Sequence, residues 1–426
     1  MSTQHSRRDL LRGTLALTGL GLIGFPEWAL PALAQGEELV PFTDLPPTFN
    51  PNPRADTRLT DVRKIDGPFT PKDQFYTTQH YGHPQVDAAS FKLKVTGLVN
   101  QSLSLSLADL KAMKPQQYVC GFECSGNRRP FQALASNGKW TGIPLKSVLD
   151  KAGVKADAKE FVFFGADHGE EEVEFRADKF KVDQNFGRSL PREKALAPEP
   201  ILVWELNGEP LSVHQGFPLR LIVPGWYGVA NVKWLSQIHL QAEEYLGKYQ
   251  ARWYRTLRGE NIGGTTIWKE SAVTLQQPKS FIARVTKAGS AYKALVVVLN
   301  DGSPIKSVEV KVDEGPWQAA TADPATKDRF GWKLYTFTWN GATKGEHTLV
   351  SRLTETSGRV QPTADELASK KTFLEDNSQH PRKLVVESLR IEFPGNAETR
   401  WVVQHGIHAA VAQGRNLRGD VTFHQG

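Results

Sequence analysis

The stretch "EPILVWELNGEPLSVHQGFPLRLIVPGWYGVANVKWL", residues 199–235, carries the clearest strand pattern in this 426-residue chain. An apolar run, 201–206, leads into Asn207-Gly208, and a second alternation follows. This pattern predicts a hairpin with a two-residue turn. A further short strand, 219–223, is predicted to end at the Pro-Gly pair that follows it.

Three basic residues accompany these strands: His214, Arg220 and Lys233. Arginine and lysine provide charge-assisted hydrogen-bond donors for an anion such as phosphate. The alternative is a set of solvated charges at strand ends, and the spacing alone does not choose between the two.

The stretch "YVCGFECSGNRRPF", residues 118–131, holds both cysteines of the chain, Cys120 and Cys124. A turn-forming Ser-Gly-Asn follows Cys124, and two arginines, Arg128 and Arg129, come next. Neighbouring guanidinium groups lower the pKa of a thiol, and the thiolate is the form that binds a soft metal. We therefore expect Cys124 to be a metal ligand and Cys120 to be a bystander.

Other roles for the two cysteines agree less well with the sequence. A disulfide between them would close a very short loop and remove little entropy from the unfolded chain. A zinc site needs about four ligands, and no second cysteine pair or histidine cluster lies nearby. The chain also lacks the Cys-x-x-Cys-His attachment motif, so we expect no covalently held haem in it. Two buried, unreactive thiols remain the alternative.

The N-terminus carries a twin arginine, Arg7-Arg8, a moderately apolar run and a small-residue site that ends at Ala34. This pattern is typical of a Tat-type export signal, residues 1–34. A membrane anchor is the alternative, but two prolines and a glutamate interrupt the run, whereas a spanning helix needs about 20 apolar residues. We therefore expect a periplasmic protein with no membrane span in its mature form. Because the Tat route carries folded proteins, it also suggests a bound cofactor.

The composition is that of an ordinary globular protein, with 39% hydrophobic and 23% charged residues and a formal net charge of +6. The basic residues are scattered along the chain rather than clustered. This distribution argues against a nucleic-acid surface and favours a small anionic substrate or an acidic partner.

Four stretches together resemble the sulfite oxidase family of molybdenum enzymes: "QFYTTQH" (74–80), "ECSGNRR" (123–129), "GKWTGIPL" (138–145) and residues 207–235. The resemblance runs from about Phe75 to the C-terminus. It implies a mononuclear molybdenum held by one molybdopterin and by Cys124. It also implies that the residues at the family's cofactor positions bind the molybdopterin; in this chain they are His80, His214, Arg220 and Lys233.

The same resemblance implies a substrate pocket. Arg129 corresponds to an arginine of the family's anion pocket, and Tyr254 of "YQARWYR" (249–255) to a tyrosine whose phenol can hydrogen-bond an oxygen on the metal. Trp140 is expected to form a wall of this pocket. A tetrahedral oxyanion such as sulfite needs fixed positive charge in a small, mostly dry site. A lone tryptophan or tyrosine is more often a core residue, so both assignments depend on the resemblance.

One position departs from the family pattern. Family members usually have Arg-Asn-His after the aromatic pair, whereas this chain has Thr78-Gln79-His80. Loss of that guanidinium removes about half of the fixed charge expected in the pocket. The departure puts sulfite itself in question and suggests a bulkier or less charged substrate.

The C-terminal third contains short alternating segments, among them "FIARV", "KALVVVLN", "SVEVKVDEG" and "KLYTFTWNG". About seven such strands predict a β-sandwich of immunoglobulin type. The polar, turn-rich segment 263–280 is predicted to be a linker. We therefore expect an α+β chain: a mixed molybdopterin domain, 35–277, with helices near 107–113 and 145–152, and an immunoglobulin-like domain with a C-terminal tail, 278–426. The resemblance implies that the second domain mediates dimerisation.

Three classes of function fit these observations. The first is an oxidoreductase that oxidises sulfite or a related sulfur compound by oxygen-atom transfer and passes electrons to a separate c-type cytochrome. The second is a reductase of sulfoxide-type compounds. The third is a binding or scaffold homologue without catalysis, for which Thr78 is the main argument. The expected assembly is a homodimer or a heteromer with a cytochrome subunit.

Overall fold

The computed structural model describes residues 36–387 except Pro47 and Arg129, and strands far outnumber helices in this part of the chain. The strands are β1 (Glu38–Val40), β2 (Leu93–Gly97), β3 (Leu103–Leu105), β4 (Gln116–Glu123), β5 (Ala135–Pro144), β6 (Glu160–Phe175), β7 (Asp178–Pro191), β8 (Ile201–Leu206), β9 (Glu209–Pro210), β10 (Arg220–Ile222), β11 (Leu235–Gln241), β12 (Arg255–Ile262), β13 (Thr265–Ala272), β14 (Lys279–Ala288), β15 (Ala291–Leu299), β16 (Ile305–Val312), β17 (Gln318–Ala319), β18 (Thr321–Ala322), β19 (Lys333–Trp339), β20 (Gly345–Glu355) and β21 (Arg382–Val386). The α-helices are α1 (Leu107–Lys111), α2 (Leu145–Ala152), α3 (Arg192–Ala195) and α4 (Lys248–Ala251).

The predicted hairpin forms at Asn207-Gly208. Both residues have positive φ angles, 55° and 85°, which is the geometry of a type I′ turn and the reason for the Asn-Gly pair. The hairpin belongs to an antiparallel sheet with strand order β10-β8-β5-β4, and β9 pairs with β8. We call it the site sheet, because β4 leads directly into Cys124.

A second sheet has the strand order β3-β2-β11-β6-β7, in which β11 runs parallel to β2 and antiparallel to β6. Between this sheet and the site sheet lies a large apolar core. Side chains from both sheets and from α2 fill it, among them Val95, Leu149, Phe163, Leu202 and Leu221.

The two helices predicted from sequence are present. Helix α1 begins with a capping box in which Ser106 and Asp109 satisfy each other's backbone amides. Helix α2 buries Leu145, Val148 and Leu149 on one face, and Gly153 follows its end with a φ of 68°. Both helices are short, so the sheets carry most of the architecture.

The C-terminal strands form the predicted β-sandwich. One sheet has the order β1-β14-β15-β19-β18 and the other β17-β16-β20-β21, and a single apolar core lies between them. Strand β1 comes from the start of the described chain, so the sandwich is completed by residues that precede the molybdopterin-type region. The α+β fold class is confirmed, whereas the boundary at residues 277 and 278 stays a prediction.

The predicted linker at 263–280 was wrong. Its first half is β13, which pairs with β12 along eight residues as a hairpin closed by Gly263-Gly264, and its last residues open β14. The polar residues of β13 are exposed positions of a two-stranded ribbon rather than of a loop.

The predicted export signal, 1–34, and the predicted C-terminal tail beyond residue 387 lie outside the described residues. No helix in the described part of the chain is long and apolar enough to cross a membrane.

Candidate active site

A cleft opens beside the end of the site sheet and contains about 650 Å³ of empty space, its mouth included. It is lined mainly by the 76–80 segment, by Cys124 and by residues 228–234. Five of the residues predicted from sequence line it together: His80, Cys124, Arg220, Lys233 and Tyr254. They come from five different parts of the chain, and the fold brings them to one place.

Cys124 lies on a tight turn that follows β4. Its backbone carbonyl accepts a hydrogen bond from the Asn127 amide at 2.8 Å, and its own amide donates to the Leu134 carbonyl at 2.9 Å. The Gly126 amide points back at the sulfur, with 3.4 Å between nitrogen and Sγ. This turn directs the thiol into the cleft and gives it one backbone donor.

The predicted electrostatic activation of Cys124 by arginines was wrong for Arg128. Arg128 is exposed, and its guanidinium lies over the ring of Phe373 at 5.1 Å. Burial raises the pKa of the Cys124 thiol to about 11, although the Gly126 amide and Lys279 act in the opposite direction. Without a metal the sulfur is therefore a thiol, and binding a metal there must release a proton.

Cys120 occupies a different environment. It is fully buried in the core behind the site sheet, and burial raises the pKa of its thiol to about 12. It does not line the cleft. The geometry thus agrees with Cys124 as the candidate ligand and with Cys120 as a packing residue.

A buried ion pair braces the Cys124 turn. Lys279 Nζ donates to Glu123 Oε2 at 2.9 Å and to the Asn127 carbonyl at 2.9 Å, with the two charged side chains only 2% and 1% exposed. Asn127 Nδ2 also donates to Glu123 Oε2 at 2.9 Å. The first residue of β14 is thereby joined to both ends of the turn that carries the thiol.

Trp140 is not a wall of the cleft, which corrects the prediction. Its indole is fully buried and donates from Nε1 to the Cys120 carbonyl at 3.0 Å. It packs edge-on against Phe75 and lies beneath the guanidinium of Arg220 at 5.3 Å. Trp140 therefore supports Arg220 from the core and does not meet a ligand.

Arg220 is buried at the floor of the cleft. Its two terminal nitrogens each donate to a carbonyl at 3.0 Å, those of Gln215 and Asn231. Its Nε has no hydrogen-bond partner among the described residues. Burial lowers the pKa of Arg220 to about 10, so the guanidinium remains charged at neutral pH.

Lys233 reaches across the cleft to the 78–79 segment. Its Nζ donates to the Thr78 carbonyl at 3.1 Å and to Gln79 Oε1 at 2.9 Å, and the His214 carbonyl lies 3.4 Å away. Burial and the nearby Arg220 lower the pKa of Lys233 to about 7. Thr78, which stands where the family has an arginine, thus contributes a backbone acceptor to the cleft.

His214 lies next to the cleft rather than in it. Its Nε2 is 3.1 Å from Arg58 Nη2, and an arginine can only donate, so Nε2 accepts and the proton resides on Nδ1. Nδ1 is buried without a partner in the described structure. The ring of His83 packs edge-on against His214 at 4.6 Å, and its Nε2 lacks a partner as well.

His80 and Tyr254 form a pair at the mouth of the cleft. His80 Nε2 and Tyr254 Oη are 2.8 Å apart and share a hydrogen bond. The His80 ring stacks on Tyr249 at 4.4 Å. Although the residue is partly exposed, the loss of water around its ring and the nearby charge of Lys248 lower the pKa of His80 to about 4. At neutral pH the imidazole is uncharged, while burial raises the pKa of Tyr254 and keeps its phenol protonated.

Sequence reasoning missed five polar residues that line the cleft: Tyr76, Thr77, Gln79, Asp167 and Asn231. Asp167 is buried, and burial raises the pKa of its carboxyl to about 6. Its position directly after the apolar run "FVFFGA" (161–166) of β6 was a usable signal, because a buried charged residue is uncommon. Tyr76 and Asn231 stood inside stretches already quoted but had no charge to mark them.

Arg129, the residue predicted to bind the substrate anion, lies outside the described residues. A different arginine stands close to Tyr254. Arg188 is buried, donates to the Tyr249 carbonyl at 2.5 Å and to the Val273 carbonyl at 2.7 Å, and influences the ionisation of Tyr254. No carboxylate of the described chain forms an ion pair with it, so two backbone carbonyls and the more distant charge of Glu160 stabilise the guanidinium.

The donor set of the cleft fits a molybdopterin. Four buried polar atoms that line it lack partners among the described residues: Tyr76 Oη, Thr77 Oγ1, Asp167 Oδ1 and Arg220 Nε. A buried polar atom without a partner is costly, so such a group of atoms indicates a polar ligand. A Cβ on Gly228 would collide with Tyr76 Oη, so this wall must be glycine to stay open. One thiolate ligand and several cationic donors suit a soft metal carried by an anionic heterocycle.

Comparison with known proteins agrees with this geometry. Residues 80–249 match a family described as the oxidoreductase molybdopterin binding domain. The matched segment begins at His80 and ends at Tyr249, so it contains Cys124 and the four residues predicted to bind the cofactor, whereas Tyr254 lies just beyond it.

Curated relatives include several sulfite oxidases and also the NADH nitrate reductase of Ulva prolifera, which is 28% identical over 238 residues, 51% of this chain and 27% of the algal protein. The chain is 28% identical to mitochondrial sulfite oxidase of Mus musculus over 331 residues, which are 70% of this chain and 58% of the mouse protein. It is 26% identical to sulfite oxidase of Arabidopsis thaliana over 330 residues, 69% of this chain and 82% of the plant protein. The chain thus spans little more than half of the mouse relative.

Among solved structures, the chain resembles the sulfane dehydrogenase SoxCD from Paracoccus pantotrophus, with a TM-score of 0.65 and 22% sequence identity. The likeness covers 88% of this chain and 96% of the other. At this level of identity it establishes the fold.

Proposed function

The chain is an oxidoreductase of the sulfite oxidase family, and from that premise we propose that it oxidises sulfite or a related sulfur oxoanion by oxygen-atom transfer at a molybdenum held by Cys124. The observation that carries the proposal is the cleft itself. It combines one thiol, the His80–Tyr254 pair, the buried Arg220 and the partly buried Lys233 in one space.

The proposed overall reaction is sulfite plus water giving sulfate, two protons and two electrons. When bound, the molybdopterin supplies the redox-active metal and the oxygen atom that is exchanged with the substrate. Arg220 and Lys233, which line the cleft, and His214, which lies next to it, would hold its anionic part, because each of the three side chains carries a hydrogen-bond donor. Cys124 would provide the protein's single ligand to the metal.

The residues of this chain orient the substrate and manage protons. Tyr254 presents a protonated phenol, and its hydrogen bond to His80 fixes the direction of the hydroxyl. Because His80 is neutral, the pair can accept a proton from the reaction without first losing one. Arg188, behind Tyr254, adds positive potential that favours an anionic substrate.

Two electrons per turnover must leave the protein, and we propose a separate c-type cytochrome as the acceptor. The support is the sequence, which holds only two cysteines and no covalent haem attachment motif. The twin-arginine N-terminus supports a periplasmic location, where such carriers operate.

Steady-state assays on metal-replete protein test the proposal. We expect sulfite-dependent reduction of ferricyanide, a small inorganic oxidant that needs no docking surface. A panel of sulfur compounds would show which is the best substrate. If reduced viologen is oxidised by a sulfoxide while sulfite gives no turnover with any acceptor, the reaction runs in the reductive direction and the proposal is wrong.

A further inference from the structure

The outer part of the β6–β7 hairpin, residues 169–184, forms a two-stranded ribbon beyond the second sheet, which we call the arm. Its cross-strand register is unbroken, with Glu170 opposite Asp183, Glu172 opposite Lys181 and Glu174 opposite Lys179. Residues that face each other across antiparallel strands point to the same side of the ribbon. The arm therefore has two separate faces.

One face of the arm is entirely charged. It consists of Glu170, Glu172, Glu174, Lys179, Lys181 and Asp183. Lys179 pairs with Glu172 at 2.9 Å and Lys181 with Glu170 at 2.8 Å. This side is adapted to water and needs no partner.

The other face of the arm is mostly apolar. Val173 lies opposite Phe180, and Phe175 and Val182 occupy the neighbouring positions on the same side. Phe175 is 65% exposed, Phe180 52% and Val182 38%. A two-stranded ribbon has no second layer of its own to cover such side chains, and a contiguous exposed apolar patch marks an interaction surface.

The apolar face continues to the mouth of the cleft. Glu171, on the same face at the base of the arm, accepts hydrogen bonds from Tyr81 at 3.0 Å, from Tyr249 at 3.2 Å and from Lys248. Lys248 lies 4.0 Å above the ring of Trp253, which is 55% exposed and packs edge-on against His80 at 5.5 Å. The arm and the candidate active site thus share one side of the molecule.

The size of the exposed apolar area indicates whether this face binds a permanent partner or a transient one. A fully covered aromatic side chain buries about 150–250 Å². Phe175, Phe180 and Trp253 are each slightly more than half exposed, so together they offer roughly 260–430 Å². A stable dimer interface needs about 800 Å² from each partner, whereas electron-transfer encounters are smaller and transient. The apolar face therefore suits a transient complex with an electron-carrier protein.

We propose that the apolar face of the arm, together with Trp253, is the docking surface for the one-electron haem protein that removes electrons from the cleft. This inference rests on the proposed function and names where its acceptor binds. Two carrier molecules dock in turn for each sulfite oxidised, and each takes one electron. The formal charge of the chain, +6, favours a carrier with an acidic surface.

Two electron acceptors, a cytochrome that must dock and ferricyanide that need not, distinguish a defect in docking from a defect in sulfite oxidation. We expect Phe175→Ser/Phe180→Ser to lower kcat/KM for an acidic soluble c-type cytochrome by about tenfold. Ferricyanide turnover with sulfite should stay unchanged, which also shows that the variant is folded. The matched control is Glu172→Ser/Lys179→Ser, which alters the charged face of the same arm and should leave both rates within about twofold.

Binding of the same cytochrome, measured by titration calorimetry, tests docking without turnover. If wild type fails to reduce ferricyanide, the proposed function fails, yet weaker cytochrome binding by the Phe175→Ser/Phe180→Ser variant still supports the docking surface. Equal binding and equal cytochrome kinetics in wild type and variant would overturn it. Two other results would also overturn it. If the variant lost a dimer in ultracentrifugation but bound the cytochrome as wild type does, the apolar face would bind a second copy of the chain. If the variant lost only its binding to phosphatidylglycerol vesicles, the face would bind a lipid surface.

Discussion

At the scale of single residues, the cleft contains ionisable groups whose removal from water lowers the stability of the folded chain. Lys233 is partly buried and its pKa is lowered to about 7, while Asp167 is buried and its pKa is raised to about 6. Both shifts have burial as the main cause, so each group would be more stable uncharged or in water. Binding sites often retain such groups because a ligand, and not the fold, satisfies them.

Asp167 gives a prediction about stability and pH. Its carboxyl ionises near pH 6 in the folded protein and near 3.8 when unfolded, so the folded state binds the proton more tightly. The resulting penalty is absent below pH 3.8, grows up to pH 6 and is constant above it. In cofactor-free protein, Asp167→Asn should raise the free energy of unfolding by up to about 3 kcal/mol at pH 8, because one pKa unit corresponds to about 1.4 kcal/mol.

Urea denaturation of the two proteins at pH 8 and at pH 4.5 measures this effect. The gain should be much smaller at pH 4.5, where the wild-type carboxyl is mostly protonated. Asp157→Asn, at an exposed position, is the control and should change stability by less than about 0.5 kcal/mol. An equal gain at both pH values would contradict the assignment of the penalty to ionised Asp167.

Thr78 gives a prediction about the substrate. It lines the cleft at the position where the family usually has arginine. A hydrogen bond to a charged group contributes about 1.5–3 kcal/mol, which corresponds to roughly one to two decades in dissociation constant. Sulfite should therefore bind weakly to wild type, and Thr78→Arg should lower its KM by about tenfold or more.

Kinetics with sulfite at one fixed ionic strength test this prediction, with Arg129→Gln as the variant that removes charge instead of adding it. Arg129→Gln should lower kcat/KM for any anionic substrate. If wild type already binds sulfite tightly and Thr78→Arg has no effect, another cation replaces the missing one. Arg188 is then the first candidate, because it is buried behind Tyr254.

At the scale of secondary-structure elements, the site depends on contacts between strands of different sheets. The turn after β4 is joined to β14 by the Glu123–Lys279 ion pair, and the Tyr254 segment is held by Arg188 of β7 through the Tyr249 and Val273 carbonyls. Neither brace touches the empty space of the cleft. Their role is to fix the positions of Cys124 and Tyr254 relative to each other.

The Glu123–Lys279 pair gives a prediction about stability. Removing one partner of a buried ion pair leaves an unpaired buried charge, which typically costs about 3–5 kcal/mol. Lys279→Met should therefore lower the free energy of unfolding by that amount in urea denaturation. Lys287→Met on the same strand is the control, since its pair with Glu38 is largely exposed and should contribute under about 1 kcal/mol. A small loss for Lys279→Met would mean that water or the backbone compensates Glu123.

The sequence predicted those strands, turns and helices that depend on residues close together in the chain. The Asn207-Gly208 turn, the strand around Arg220 and helix α2 were all recognisable because turn residues and apolar spacing are properties of neighbouring residues. The arm and the β12–β13 hairpin were missed, since their strands are largely exposed and rich in charged or polar residues, and the short apolar alternation of the arm does not belong to a buried core. Trp140 was misplaced for a related reason: its sequence does not show which side of β5 faces the cleft.

At the scale of the whole molecule, the described chain joins a molybdopterin-type region to a β-sandwich. Strand β1 lies in the sandwich, so the segment between it and the cleft residues 76–80 passes from one region to the other. The Glu123–Lys279 ion pair also joins the two regions, because it connects the Cys124 turn to the first residue of β14. A protein of this kind suits export in the folded state, with its cofactor already bound.

The export proposal predicts the form of the mature protein. Purified from its native compartment, the chain should begin near Gln35, and changing Arg7 and Arg8 together to lysine should abolish activity in the periplasmic fraction. N-terminal sequencing and activity in cell fractions measure the two effects. Active, full-length protein in the cytoplasm alone would contradict export.

The central claim is that Cys124 is the protein's ligand to a molybdenum, and X-ray absorption at the molybdenum edge tests it most directly. Wild type and Cys120→Ser should contain about one molybdenum per chain with the same number of sulfur neighbours, because Cys120 is buried away from the cleft. Cys124→Ser should lose one sulfur neighbour and its turnover, since a hydroxyl is a harder and weaker donor than a thiolate. Absence of molybdenum from wild type, or a lost sulfur neighbour in Cys120→Ser with none lost in Cys124→Ser, would contradict the account.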